Sequence, residues 1–171
     1  KDDGSTNKAN YVKTNLPAYV YSIASAIVRM PNKTLQLITI DSLNRQIDID
    51  PNGIVTAVDS YRINSNSTSP LNAFVLSLPL EATDVVVKDQ SGEALLSHEK
   101  PSANVLLVNA TLSEAINEGQ STTLTVYYNL PKATIQGSKY SFSGFQLFPH
   151  FQYLVKQATI TFKPPEGATI T

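Results

Sequence analysis

Apolar residues along most of this chain alternate with polar ones, and turn residues interrupt them at short intervals. After Pro31, Leu35, Leu37 and Ile40 sit in a β-branched stretch that ends at Asp41-Ser42. Gln46 to Asp50 and Ile54 to Ile63 flank Asp50-Pro51-Asn52-Gly53. Along the second arm Val55, Ala57 and, less well, Asp59 alternate against Ile54, Thr56 and Val58. Such a pattern predicts a β-hairpin: proline presets φ, and Asn-Gly accepts positive φ. Asn64 to Pro70 (NSNSTSP) has no apolar residue and reads as a loop. Ala73 to Leu80 reads as a buried strand. Thr83 to Lys88 and Glu93 to Ser97 read as a second hairpin across Asp89-Gln90-Ser91-Gly92. Asn104 to Val108 is a short strand, and Ser113 to Gln120 is expected to hold one helical turn. Ser121 to Tyr128 directs Leu124, Val126 and Tyr128 inward, and Gln157 to Lys163 is the last strand.

About nine or ten short strands at roughly 8–12-residue spacing predict an all-β fold. The expected architecture is an antiparallel β-sandwich, immunoglobulin-like or jelly-roll-like. Residues 1–17 read as a polar arm and residues 18–171 as the sandwich domain. Within the latter, Ala18 to Met30 leans towards strand through Tyr19, Tyr21 and Ile23. At 171 residues one core suffices without staples.

Composition narrows the classes. Charged residues make up 16% of the chain and the net charge is −1. The 17 Ser, 16 Thr and 13 Asn carry the polarity instead. No basic field is available to release counterions from nucleic acid, so none is expected as a partner. No apolar run reaches the roughly 20 residues of a membrane span; the longest candidate, Ala18 to Val28, contains Ser22 and Ser25. Cysteine is absent, which excludes thiol chemistry, disulfides and Cys-based zinc sites. A start at Lys1 rather than Met fits a processed protein or an excised segment.

Asp48, Asp50, Asn52 and Asp59 match the ligand spacing of a calcium loop, with Gly53 at the turn position and Asp in place of the final Glu. The β-forming flanks and Pro51 favour a hairpin turn over a loop wrapped around a cation. Asn32-Lys33-Thr34, Asn66-Ser67-Thr68 and Asn109-Ala110-Thr111 are N-glycosylation sequons, each expected beside a turn or loop. A chain so rich in Asn, Ser and Thr yields such triplets by chance, so placement rather than count gives them meaning. Tyr140, Phe142, Phe145, Phe148, Phe151 and Tyr153 gather six of the 14 aromatics into residues 140–153. They are expected either to cap one end of the fold or to form a partner surface, because clustered aromatics dominate interface energetics.

Support for catalysis is slight. No GxSxG, HExxH, phosphate loop or Ser/His/Asp arrangement occurs. His98 reads as solvated, His150 as a loop residue, and Glu81, Asp84 and Asp89 as turn carboxylates. No enzyme activity and no cofactor are expected.

Several local features share their order with a known family. The hairpin at Gly53, the Leu78-Pro79 strand end, and the Asp84-to-Gly92 hairpin followed by Leu95-Leu96-Ser97-His98 are among them. Tyr128-Asn129-Leu130-Pro131 and Pro165-Glu166-Gly167-Ala168 complete the series. From Arg45 to Thr171 this order resembles a luminal β-domain of ribophorin I, a non-catalytic subunit of the oligosaccharyltransferase, and ribophorin-like surface proteins. The resemblance implies an accessory module in an extracytoplasmic compartment, with no catalytic residues to carry over. With the sequons, it makes a non-enzymatic structural or interaction module of a cell-surface or membrane-anchored protein the leading expectation. An alternative is a filament or surface-layer subunit in which Lys1 to Met30 donates a strand to a neighbour. A carbohydrate-binding role for the aromatic segment is a third. A protein partner or self-association, with possible N-glycans, follows from the first two.

Overall fold

The computed structural model describes residues 37–137, 139–141 and 153–168. Among them the chain is all-β, with eleven strands and no helix. They are β1 (Ile38–Ile49), β2 (Val55–Ser65), β3 (Leu71–Pro79), β4 (Thr83–Lys88), β5 (Ser97–Ser102), β6 (Val105–Ile116), β7 (Ser121–Leu130), β8 (Thr134–Gln136), β9 (Lys139–Ser141), β10 (Leu154–Val155) and β11 (Ala158–Lys163). The larger sheet runs β10-β1-β2-β7-β4, with β11 also on β1. A second sheet runs β3-β6-β5, and β8 and β9 form a small hairpin.

Period-two burial builds the core. In β2, Val55, Ala57, Asp59, Tyr61, Ile63 and Ser65 are buried while the residues between them reach solvent. In β7, Leu124, Val126, Tyr128 and Leu130 lie on the same side. Apart from Asp59 and Ser65, these side chains join Phe74, Leu76 and Leu78 of β3 and Leu106, Val108 and Ala110 of β6 in one hydrophobic cluster shared by both sheets.

Four expectations change. Ile38 to Ile40 of the first predicted strand and Gln46 to Ile49 of the next are joined in one strand, β1, whose pairing with β2 shifts between Ile40 and Ser42. An irregularity of this kind absorbs the polar Asp41-Ser42 step without ending the ladder. The Ser113–Gln120 helical turn is instead the end of β6, and the chain turns at Asn117 to Gln120. The second hairpin closes only at its tip. Leu95 N–H donates to Val87 O, Lys88 bridges Ala94, and the chain then crosses to the other sheet as β5. Finally, the fold is not purely antiparallel: β10 and β11 both run parallel to β1. Turn residues encode antiparallel neighbours, whereas a parallel partner arrives by a long connection that no local pattern announces.

The Gly53 hairpin has the turn chemistry of a three-residue loop. Gly53 N–H donates to Asp50 O at 3.0 Å and Asp50 N–H to Ile54 O at 3.0 Å. The Asp50 carboxylate accepts from the backbone N–H of Asn52 (2.9 Å) and of Ile54 (2.7 Å). Positive φ falls on Gly53 (76°) but not on Asn52, the pattern of an ordinary turn followed by one left-handed residue. Asp89-Gln90-Ser91-Gly92-Glu93 repeats this arrangement bond for bond.

Candidate functional site

The densest chemistry lies inside the larger sheet. Arg45 of β1 is in register with Asp59 of β2, and β7 flanks the pair on the far side of β2. Arg45 Nε donates to Asp59 Oδ1 at 2.8 Å and Nη2 to Oδ2 at 2.6 Å, a bidentate charge-assisted pair. Tyr61 Oη donates to the same Oδ2 at 2.8 Å and Tyr128 Oη at 3.1 Å. The Arg45 and Asp59 side chains are 1% and 0% exposed.

Burial strains the ionisation of every donor in this cluster. Desolvation opposes the Arg45 charge, but the hydrogen bond and the charge of Asp59 outweigh it and hold the guanidinium protonated well above its usual range. Tyr61 and Tyr128 are both pushed well above the normal phenol range, first by burial and then by the neighbouring Asp59 charge. Within an apolar interior, two charges and two hydroxyls thus meet in one hydrogen-bonded network.

Asp59 therefore stands apart from the other calcium candidates. It faces the core, whereas Asp48 accepts from Gln46 Nε2 at 2.7 Å on the opposite face, and Asp50 caps the turn at whose exposed tip Asn52 lies. These four residues do not converge on one point, and among the described residues no group of three or more His, Asp or Glu side chains is placed to hold a metal ion.

Two of the three sequons fall within the described residues, and they share a geometry. Asn66 and Thr68 are exposed while Ser67 between them is fully buried. Ser65 and Ser67 face inward and tie the loop down, with Ser65 N–H donating to Gln120 O and Gly119 N–H to Ser65 O. Asn109 and Thr111 are likewise exposed on either side of fully buried Ala110. Asn109 is not beside a turn as expected; it sits within the central strand β6, between Val75 of β3 and His98 of β5. Asn32 lies outside the described residues.

Of the aromatic segment, Phe142, Phe145, Phe148 and Phe151 lie outside the described residues, as does His150, and Tyr140 belongs to β9. Tyr153 turns towards the core. Its ring stacks on fully buried Phe74 with centroids 4.9 Å apart, and its hydroxyl meets the backbone of Val75. Partial burial pushes its phenol above the usual range. Tyr153 thus packs against the core through Phe74. His98 is exposed on β5.

A polar groove of about 590 Å³ runs beside the Asp89 turn, lined by Asp89, Glu93, Ser113, Glu114 and Thr122 among others. Asp89 accepts from Ser91 Oγ at 2.5 Å and from Ser113 Oγ at 2.9 Å. The Ser91 hydroxyl first, with Ser113 and backbone N–H groups, lowers its pKa. Nothing in the sequence marks this groove, because Ser113 and Glu114 reach it only through the unexpected extension of β6.

No family model matches the chain, and no curated protein does. Among solved structures, an M1 zinc metallopeptidase from Deinococcus radiodurans aligns with 61% of this chain at 16% identity and a TM-score of 0.42. A variant of that peptidase bound to a Tyr-Ser-Ala substrate aligns with 74% at 17% identity and 0.45. Native leukotriene A4 hydrolase from Saccharomyces cerevisiae aligns with 61% at 10% identity and 0.41. The alignments span 23%, 32% and 18% of those chains. Likeness at this level assigns no function.

Proposed function

We propose that this chain is a non-enzymatic extracytoplasmic structural or interaction module of a cell-surface or membrane-anchored protein, with its two sheets packed as a β-sandwich. The observation that carries the reading is the geometry of the two described sequons. Each presents Asn and Thr to solvent across a buried middle residue, so a glycan at Asn66 or Asn109 would stand clear of the core. The ionisable cluster at Arg45 and Asp59 supports the same reading, since it is buried and its charges pair with each other. A ribophorin-like accessory role is one form of this proposal. Membrane-impermeant amine labelling of intact cells tests it, because Lys100, Lys132 and Lys163 are exposed. Labelling of these lysines without lysis is expected; labelling only after lysis would refute the cell-surface placement.

Assembly by strand addition is a second reading, favoured by β3. Among the described residues this strand pairs with β6 alone, and Leu71 to Pro79 carries no charge. Charged side chains are a common protection of free edges, and β3 has none. The donor would be the Ala18–Met30 segment of a neighbouring copy. Concentration-dependent oligomers in sedimentation, lost on Val75→Lys, are expected; a full-length chain monomeric at high concentration refutes this reading.

A further inference from the structure

The tip of the first hairpin holds reactive chemistry unrelated to the sequons. Asn52 is exposed and is followed by Gly53, which has no side chain to obstruct attack on the asparagine carboxamide. In that reaction the Gly53 backbone nitrogen forms a bond to Asn52 Cγ and the Cγ–Nδ2 bond breaks. Ammonia leaves with the nitrogen's proton, and a succinimide remains. Water then opens the ring to aspartate or isoaspartate.

Each participant is restrained in the folded turn. The Gly53 N–H donates to Asp50 O at 3.0 Å, which engages the nucleophile. Asn52 Nδ2 leans towards Asp50 Oδ2 at 3.4 Å, drawing the carboxamide to the carboxylate. Asp50 Oδ1 accepts from the N–H groups of Asn52 and Ile54 and fixes the backbone on both sides. Gly53 O accepts from Ala133 N–H at 2.8 Å, and the Gly53 residue is buried although its neighbour is not. All these restraints must yield before Gly53 N can approach Cγ.

We propose that Asn52–Gly53 is a succinimide-forming site held closed by Asp50, so that conversion of Asn52 records opening of the hairpin tip. The product has structural consequences. Isoaspartate routes the backbone through Cβ and Cγ and so lengthens it at the turn, whereas aspartate sets a carboxylate where the Asn52 carboxamide faced Asp50. Both effects work against the turn and against the Ala133 contact that joins it to the chain leading into β8.

The test incubates the full chain at mildly alkaline pH and counts Asn52 conversion by peptide mapping. It compares the native protein with the same protein in urea, and with Asp50→Ala and Asp50→Asn verified as folded by circular dichroism. Native wild type is expected to convert at least about tenfold more slowly than the urea-unfolded chain, the factor that one hydrogen bond to a charged group is worth. Asp50→Ala is expected to recover most of that difference and Asp50→Asn part of it. Equal rates in native and unfolded wild type would overturn the proposal. So would a folded Asp50→Ala that converts no faster than wild type. The native-to-urea comparison decides the matter even if neither variant folds.

Discussion

Replacing Asp59 with Asn keeps the size of the side chain and removes its charge. In the native sheet Asp59 accepts four hydrogen bonds, two from Arg45 and one each from Tyr61 and Tyr128. Asparagine offers one acceptor oxygen, and its NH₂ group would oppose donors. Arg45, 1% exposed, would lose the carboxylate that holds it in the bidentate pair. Breaking a buried pair from one side costs about 3–5 kcal/mol. That is a large share of the roughly 5–15 kcal/mol that holds a domain of this kind together. Urea unfolding followed by far-UV circular dichroism and tyrosine emission measures it directly, since the chain has no tryptophan. Removing both charges in Arg45→Met/Asp59→Leu should recover stability, because a buried pair exchanged for apolar groups is often neutral or better by about 1–4 kcal/mol. Loss of the Asp59 acceptor for the Tyr61 and Tyr128 hydroxyls would oppose that gain by about 1–3 kcal/mol each, so Tyr61→Phe and Tyr128→Phe belong in the series. The expected coupling between Arg45 and Asp59 is at least about 2 kcal/mol. An Asp59→Asn loss under about 1 kcal/mol, or a double variant as unstable as the sum of the single ones, would refute the reasoning.

Alkaline pH should destabilise the fold from about pH 10 upward, the range in which unfolded tyrosines ionise. Tyr61 and Tyr128 are raised in the native state, so the unfolded chain loses protons first. Their stabilising share is full below the unfolded pKa and falls as pH rises, by up to about 2.7 kcal/mol per pH unit for two groups. A pH series of urea midpoints with no fall above that point would contradict this. Gly53→Ala should cost more than Gly92→Ala: both sites have positive φ, but a Cβ at Gly53 would lie 2.9 Å from Ala133 O whereas Gly92 faces open space. The shared conformational cost is about 1–2 kcal/mol, and the difference in thermal midpoint isolates the steric contact. Asp84, at φ 53°, accepts from Asn129 Nδ2 at 2.8 Å; Asp84→Ala should lose about 1–2 kcal/mol in urea unfolding while Asp84→Asn loses little. Lys156→Ala should change stability by less than about 1 kcal/mol, because its 2.6 Å pair with Asp41 is largely exposed.

Much of the strand pattern was legible from alternation alone, and the two Asp-x-x-Gly turns were legible from their residues. The buried ion pair was legible in principle. A hairpin closed between Asp50 and Ile54 places Arg45 opposite Asp59, and both lie in phase with the apolar positions of their strands. That coincidence of opposite charge, register and phase is the signal that reading Asp59 as a cation ligand overlooked. Longer-range features left no local mark. Neither the parallel placement of Ala158–Lys163 on β1 nor the passage of the chain after Leu95 into the other sheet is encoded by a turn. Ser113 to Ile116 shows the limit of composition: polar side chains suggested a break, whereas β6 continues through an irregularity in its pairing with β3 and ends with Ile116 opposite Leu71.

If the proposed module stands outside the cytoplasm with its sequons open to glycans, peptide mapping of the protein purified from its own source will reveal it. A carbohydrate mass is expected on the peptide containing Asn66, Asn109 or both. Unmodified asparagine at both positions, in protein recovered from the cytoplasm, would contradict it.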